Sequence, residues 1–260
     1  MKISDFVDDV ARSIGFLSRI PVPSRHFIGH DGTLSRAVGA FPVAGLLIAL
    51  PSAALFAVLL ALHADPLLAA FLALGLQVIL TGALHEDGLS DAADGIGGGR
   101  DRQSALAIMK DSRIGSYGAV ALILSFAIRG AALAVLGAVL APTQAGIALI
   151  GIAALSRAAM VWHWSLLPSA RSDGVAASAG MPEEKATSLA LFTGALICLV
   201  LTGGATSFIE GVVVIAASGL ACWAATQYVD AKIGGHTGDT IGASQQLAEI
   251  VSLSTLAVLL

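Results

Sequence analysis

Residues 85–95 read His-Glu-Asp-Gly-Leu-Ser-Asp-Ala-Ala-Asp-Gly, which spaces Asp87, Asp91 and Asp94 at i, i+4 and i+7. Wound into a helix, the three carboxylates share one face. Like charges stacked this way destabilise a helix, and more so beside a low-dielectric membrane edge, unless a cation neutralises them. Carboxylate oxygens are hard ligands, and Mg²⁺ typically takes one or two of them together with substrate phosphates and its remaining waters. The spacing therefore predicts a Mg²⁺ site. A merely solvated helix face gains nothing from repeated like charge. Gly88, Gly95 and the run 97–99 let backbone approach a ligand closely, at a cost in helix stability that a purely structural segment does not need.

Positive donors follow at once. Arg100, Arg102, Lys110 and Arg113 lie downstream of the acidic run, with Asp101 placed to cap a short helix that runs to Asp111. Arginine binds phosphate bidentately and a metal offsets the remaining charge, so carboxylates mixed with these cations suit a diphosphate carrying its metal ion.

The elements that must hold this segment are set by composition. The chain has 260 residues, 56% hydrophobic and 12% charged, with a mean hydropathy of +0.85, against roughly 45–50% apolar and 25% charged in ordinary soluble domains. Its apolar mass is Ala, Leu, Ile and Val with 29 glycines, the small-residue composition of helices that pack closely in lipid. This predicts an all-α, polytopic integral membrane helix bundle in a single domain, residues 1–260. A bilayer core needs roughly 20 apolar residues per helix, which gives about seven transmembrane spans: 39–62, 66–84, 117–140, 143–164, 187–203, 205–226 and 243–260. In residues 1–20, Val7, Val10, Ile14 and Leu17 recur at helical spacing, which predicts an amphipathic surface helix ended by Pro21 and Pro23 rather than a secretory leader. Cys198 and Cys222 fall inside apolar runs and read as filler.

Lys and Arg set the expected orientation. Lys2, Arg12, Arg19, Arg25 and Arg36 precede the first span. Arg100, Arg102, Lys110 and Arg113 follow the second, Arg171 and Lys185 the fourth, and Lys232 the sixth. The intervening turns carry none. The N-terminus and the segment 85–116 are thus expected to face the cytoplasm, together with the chemistry. With 14 Lys and Arg against 18 Asp and Glu, no basic excess points to nucleic acid. Oligomeric state is left open, a homo-oligomer included.

The stretch from His85 to Gly118, with its DGLxDxxDGxGGGRxR and IMKDSRIGSYG passages, resembles the cobalamin synthase family, the membrane-bound adenosylcobinamide-GDP ribazoletransferases. Residues 19–23 with 41–47 are similar to that family's N-terminal signature, and residues 234–243 to its C-terminal one. The family usually presents two glutamates three apart after the last motif, where this chain has Gln246 and Glu249. Glu86 stands where the family more often has an apolar residue and reads as a harmless rim substitution. The resemblance implies a bacterial inner-membrane phosphotransferase. In its reaction a hydroxyl of α-ribazole, or of its 5′-phosphate, attacks the cobinamide-linked phosphorus of adenosylcobinamide-GDP and GMP leaves. It also implies that Asp87, Asp91 and Asp94 are the catalytic carboxylates and hold Mg²⁺ on the diphosphate, with Asp239 a further ligand. Arg100, Lys110 and Arg113 are then assigned to the phosphates, and Asp111 to a supporting role.

Other residues weigh less. Arg157 lies about 10 Å below the end of its span and is expected to snorkel to a phosphate, while Arg129, deeper, is expected in a buried polar pairing. His26 and His30 sit among glycines, which argues for a loop, His85 and His236 read as rim histidines, and Trp162, His163 and Trp164 as an interfacial belt. Two other functions compete. A CDP-alcohol phosphotransferase needs an Ala-Arg pair where Asp91 stands, and a cation-coupled transporter places its carboxylates at mid-membrane on broken helices within repeats.

Overall fold

The computed structural model describes residues 3–260, and its regular structure there is helical: α1 (Ile3–Leu17), α2 (Phe41–Ala61), α3 (Pro66–Thr81), α4 (Leu84–Gly98), α5 (Arg102–Ile108), α6 (Ser116–Val139), α7 (Pro142–Leu166), α8 (Val175–Ala179), α9 (Glu184–Ala205), α10 (Phe208–Ile233) and α11 (Gly238–Leu259). Met1 and Lys2 of the expected surface helix lie outside the described residues. The loops 99–101, 109–115, 167–174 and 234–237 gather at one polar end of the bundle. The turns at the opposite end are short because antiparallel helices of matched length need only a few residues to reverse.

Among the described residues five helical stretches are long and apolar enough to cross a membrane: Ala37–Ala61, Ser116–Val139, Pro142–Leu166, Glu184–Ala205 and Phe208–Ile233. The second and seventh expected spans differ. The apolar run that begins at Pro66 ends at Thr81, and the chain turns by 91° into α4 instead of continuing straight. Gly82 (φ 62°) and Ala83 (φ 59°) both adopt the left-handed conformation at this elbow, which ends one helix and starts the next. The N–H of Arg19 donates to the Leu80 carbonyl at 2.7 Å and ties the segment after α1 to the same corner. Only if α3 and α4 are taken together does a sixth crossing result. α11 has the length of a span, but Ser244, Gln245, Gln246, Glu249 and Ser252 lower its hydropathy, and these side chains are buried inside the bundle.

α7 is the central helix, buried along most of its length, and it packs against α2, α9 and α11. α1 docks on the start of α2 through Asp9, Arg12, Ser13 and Leu17, while Val7 of the expected apolar stripe is exposed. The docked face is therefore mixed: Arg36 bridges to Asp9 at 2.9 Å and Ser13 donates to the Ala37 carbonyl.

Candidate functional site

α4 and α11 cross in direct backbone contact. A Cβ added at Gly88 would stand 2.9 Å from the Asp239 carbonyl oxygen and 3.1 Å from the Gly242 Cα, so only glycine permits this approach. The crossing brings Asp239, in the first turn of α11, beside the acidic run of α4. Asp87 is exposed, Asp91 half-buried and Asp94 buried. On this polar helix, which is not one of the five apolar spans, burial pushes the Asp91 carboxyl up to about 6, and the like charges of Asp87, Asp239 and Asp94 push the same way. Burial also raises the Asp239 carboxyl. Arg171 and the Thr237 hydroxyl, which donates at 3.2 Å, act against that rise.

Asp94 has a second task that its spacing did not reveal. Its two carboxylate oxygens accept the backbone N–H groups of Gly115 at 2.7 Å and Gly118 at 2.9 Å, which caps the N-terminus of α6. Each oxygen keeps a lone pair after this bond.

Arg171 was not singled out by sequence reasoning. It approaches Asp239 at 3.5 Å and donates to the Leu106 carbonyl at 2.9 Å. It sits 68 residues before Asp239 in the chain, so no local pattern connects them. Arg102 anchors the same corner, donating to the carbonyls of Ile233 and Ala170. Of the expected phosphate contacts, Arg100 is exposed on the loop after α4, Lys110 pairs with Asp173 at 2.6 Å, and Arg113 pairs with Asp111 at 2.6 Å. All three belong to the polar end. Arg113 holds the exposed Asp111 carboxyl down at about 2.

Arg157 lies elsewhere. It is buried and pairs with Glu249 at 3.1 Å, as does Arg129 at 3.1 Å. Arg129 also meets Glu86 at 3.2 Å, so the buried polar pairing expected of Arg129 is present. Glu86, expected as a harmless rim substitution, is instead 5% exposed and part of this network. Gln246 donates to Glu86 at 3.1 Å and accepts from Ser125 at 3.0 Å, while Gln245 donates to Glu249 at 2.7 Å. Two guanidinium groups thus face two carboxylates below the acidic rim. His85, expected at the rim, is 1% exposed and its Nε2 has no partner among the described residues. His236 is buried too, and burial lowers its imidazole to about 4.

Among the described residues no three Asp, Glu, His or Cys side chains are preassembled around one point as a metal cage. The donor set nevertheless fits Mg²⁺ held on a diphosphate. Asp87, Asp94 and Asp239 all lie close enough to act on the Asp91 charge, and Mg²⁺ needs only one or two protein carboxylates when phosphates supply the rest. Beside them, between α1, α4, α7, α8 and α11, opens a cavity of about 190 Å³ with Asp87 and Asp239 among its walls.

A family model described as cobalamin-5-phosphate synthase matches residues 9–257. Three curated relatives carry the name adenosylcobinamide-GDP ribazoletransferase. That of Sinorhizobium medicae (strain WSM419) is 60% identical over 263 residues, covering 99% of this chain and 98% of the relative. That of Rhizobium johnstonii is 52% identical over 260 residues, all of both chains. That of Bradyrhizobium diazoefficiens is 42% identical over 255 residues, covering 98% and 95%. No solved structure matches.

Proposed function

The chain belongs to the cobalamin-5-phosphate synthase family, and from that premise we propose that it is an adenosylcobinamide-GDP ribazoletransferase. A hydroxyl of α-ribazole or its 5′-phosphate attacks the cobinamide-linked phosphorus. The new P–O bond forms as the bond to GMP breaks, and the hydroxyl proton passes to a carboxylate. Adenosylcobalamin, or its phosphate, and GMP are the products.

The observation that carries this reading is the meeting of Asp87, Asp91 and Asp94 with Asp239 at the α4–α11 crossing. Two motifs about 150 residues apart converge on one acidic corner beside a cavity. Phosphoryl transfer asks little covalent chemistry of the protein and depends on positioning and charge. Bound Mg²⁺ supplies charge neutralisation on the diphosphate, and Asp87, Asp91, Asp94 and Asp239 are the residues that would hold it. Asp91, half-buried among the other carboxylates, also offers an acceptor for the hydroxyl proton. Arg100, Lys110 and Arg113 receive the phosphates from the surrounding loops, the last two by exchanging their Asp173 and Asp111 partners for substrate oxygens. Arg157 is set aside as a phosphate contact, since it is spent on Glu249. The clustering of basic loops favours a polar end that faces the cytoplasm, and apolar helices in a chain with bacterial relatives support a multi-pass protein of the inner membrane.

The test is GMP release by purified protein in liposomes given adenosylcobinamide-GDP, α-ribazole and Mg²⁺. Release that requires both substrates and the metal, and that falls at least about 100-fold in Asp91→Asn, is expected. No release from folded wild-type protein overturns the assignment. The transporter reading finds less support, because the acidic cluster lies at the polar end, whereas the deeper carboxylates are bound to arginine.

A further inference from the structure

Resting on that reading, we propose that Arg171 grips the diphosphate of the nucleotide substrate, supplying the positive charge that stands beside the carboxylates of the rim.

Two segments far apart in the chain are clipped together to put it there. The N–H of Ala170 donates to the His236 carbonyl and the N–H of His236 to the Pro168 carbonyl, each at 2.8 Å, which makes a short parallel bridge between the segment after α7 and the segment before α11. A Cβ at Gly235 would stand 2.5 Å from the Pro168 carbonyl oxygen, so only glycine lets the two segments lie this close. Arg102 ties the same junction to α5 through the carbonyls of Ala170 and Ile233. Arg171 and Asp239 follow the junction on its two sides and are thereby fixed relative to each other.

The guanidinium is held but not spent. Its side chain is 15% exposed, Nη2 donates to the Leu106 carbonyl at 2.9 Å, and Nη1 stands 3.5 Å from Asp239 Oδ2. That last distance exceeds the roughly 2.7–2.9 Å of a charge-assisted hydrogen bond, so the pair attracts without bonding. Among the described residues Leu106 is thus its one hydrogen-bond acceptor, and most donors of the planar fork remain unused. The other cations of this end are disposed differently. Arg102 is occupied by two backbone carbonyls, while Lys110 and Arg113 are exposed and paired with Asp173 and Asp111.

Arg171 acts on the charge of Asp91 as well as that of Asp239. A corner that had only to hold a metal ion would gain nothing from a fixed guanidinium, which repels the ion. A metal ion that arrives on a diphosphate needs both signs side by side, with carboxylates for the metal and a fork that meets phosphate oxygens bidentately. On binding, those oxygens replace the long contact to Asp239 and leave its carboxylate to the metal.

Equilibrium binding of adenosylcobinamide-GDP to proteoliposomes, with Mg²⁺ and without the acceptor, tests this apart from turnover. Arg171→Gln should weaken binding at least about tenfold, the worth of one hydrogen bond to a charged group, and the loss should persist when Asp239 is already Asn. In GMP release the same variant should leave KM for α-ribazole unchanged. Arg171→Lys keeps the charge without the fork; it should fall between wild type and Arg171→Gln, and it carries the test if Arg171→Gln does not fold. Unchanged binding in a folded Arg171 variant overturns the proposal. An effect that vanishes in the Asp239→Asn background marks a mere counter-ion to Asp239 and overturns it too, as does an equal loss in KM for α-ribazole, which marks a general distortion. Where wild type binds the substrate and releases GMP, each of these results leaves the transferase standing. Wild type that does neither overturns both.

Discussion

At the polar end Asp87, Asp91 and Asp239 crowd together with Arg171 opposing them, whereas deeper in the bundle Arg129 and Arg157 answer Glu86 and Glu249 charge for charge. Asp239 and Glu249 sit on the same helix, separated by about 15 Å of rise. Their surroundings differ by more than depth. The rim is open at Asp87, so on the proposed reading repulsion there is left for a ligand to relieve. The network is buried, so its charges are met within the protein. The rim is unbalanced for binding, and the network is balanced for folding.

Substitutions at matched positions separate the two. The largest stability effect is expected from Glu249→Gln, which leaves two buried guanidinium groups short of a counter-charge. A loss of about 3–5 kcal/mol should appear in detergent unfolding experiments. Asp91→Asn should do the reverse: activity falls steeply while the unfolding temperature holds or rises, because a repulsion is removed. A drop in stability comparable to that of Glu249→Gln would erase the distinction between the two regions.

A smaller and sharper effect concerns Glu86 and Gln246, which share one hydrogen bond beside Arg129. Glu86→Gln alone should cost about 2–3 kcal/mol. Adding Gln246→Glu restores a carboxylate within the same network and should recover most of that loss. A double variant no better than the sum of the two single ones would show that Arg129 does not choose its partner by charge alone.

The smallest effect extends the rule to a neutral buried group. His236 has a folded value near 4, below the ordinary imidazole value of about 6.5. Between those values the unfolded chain binds a proton that the folded one refuses, so stability is intact above about pH 6.5 and is lost as pH falls toward 4. A loss on the order of 2 kcal/mol is expected across that window, and His236→Gln should flatten it relative to wild type in thermal unfolding at stepped pH.

Much of the rim was legible in the chain. The i, i+4, i+7 spacing put Asp87, Asp91 and Asp94 on one helix, and the ordered motifs brought Asp239 to the same site by resemblance. Asp94 as the cap of α6 was not legible, since its partners are backbone N–H groups 21 and 24 residues away. Nor was Glu86, whose reading depended on whether α4 runs on from α3 or turns. At 91° it turns, and that sends Glu86 inward to Arg129.

By itself the amino-acid sequence determined a membrane-embedded helix bundle, an acidic segment between apolar runs, and basic loops gathered on one side. These depend on composition and near-neighbour spacing, which act within a turn or two of helix. Tertiary structure alone decided which carboxylates gather at the rim and which are matched to buried arginines. Those outcomes depend on the elbow at Gly82–Ala83 and the glycine contact of α4 with α11, where residues about 150 positions apart come within van der Waals distance and their environment, not their identity, sets what each charge does.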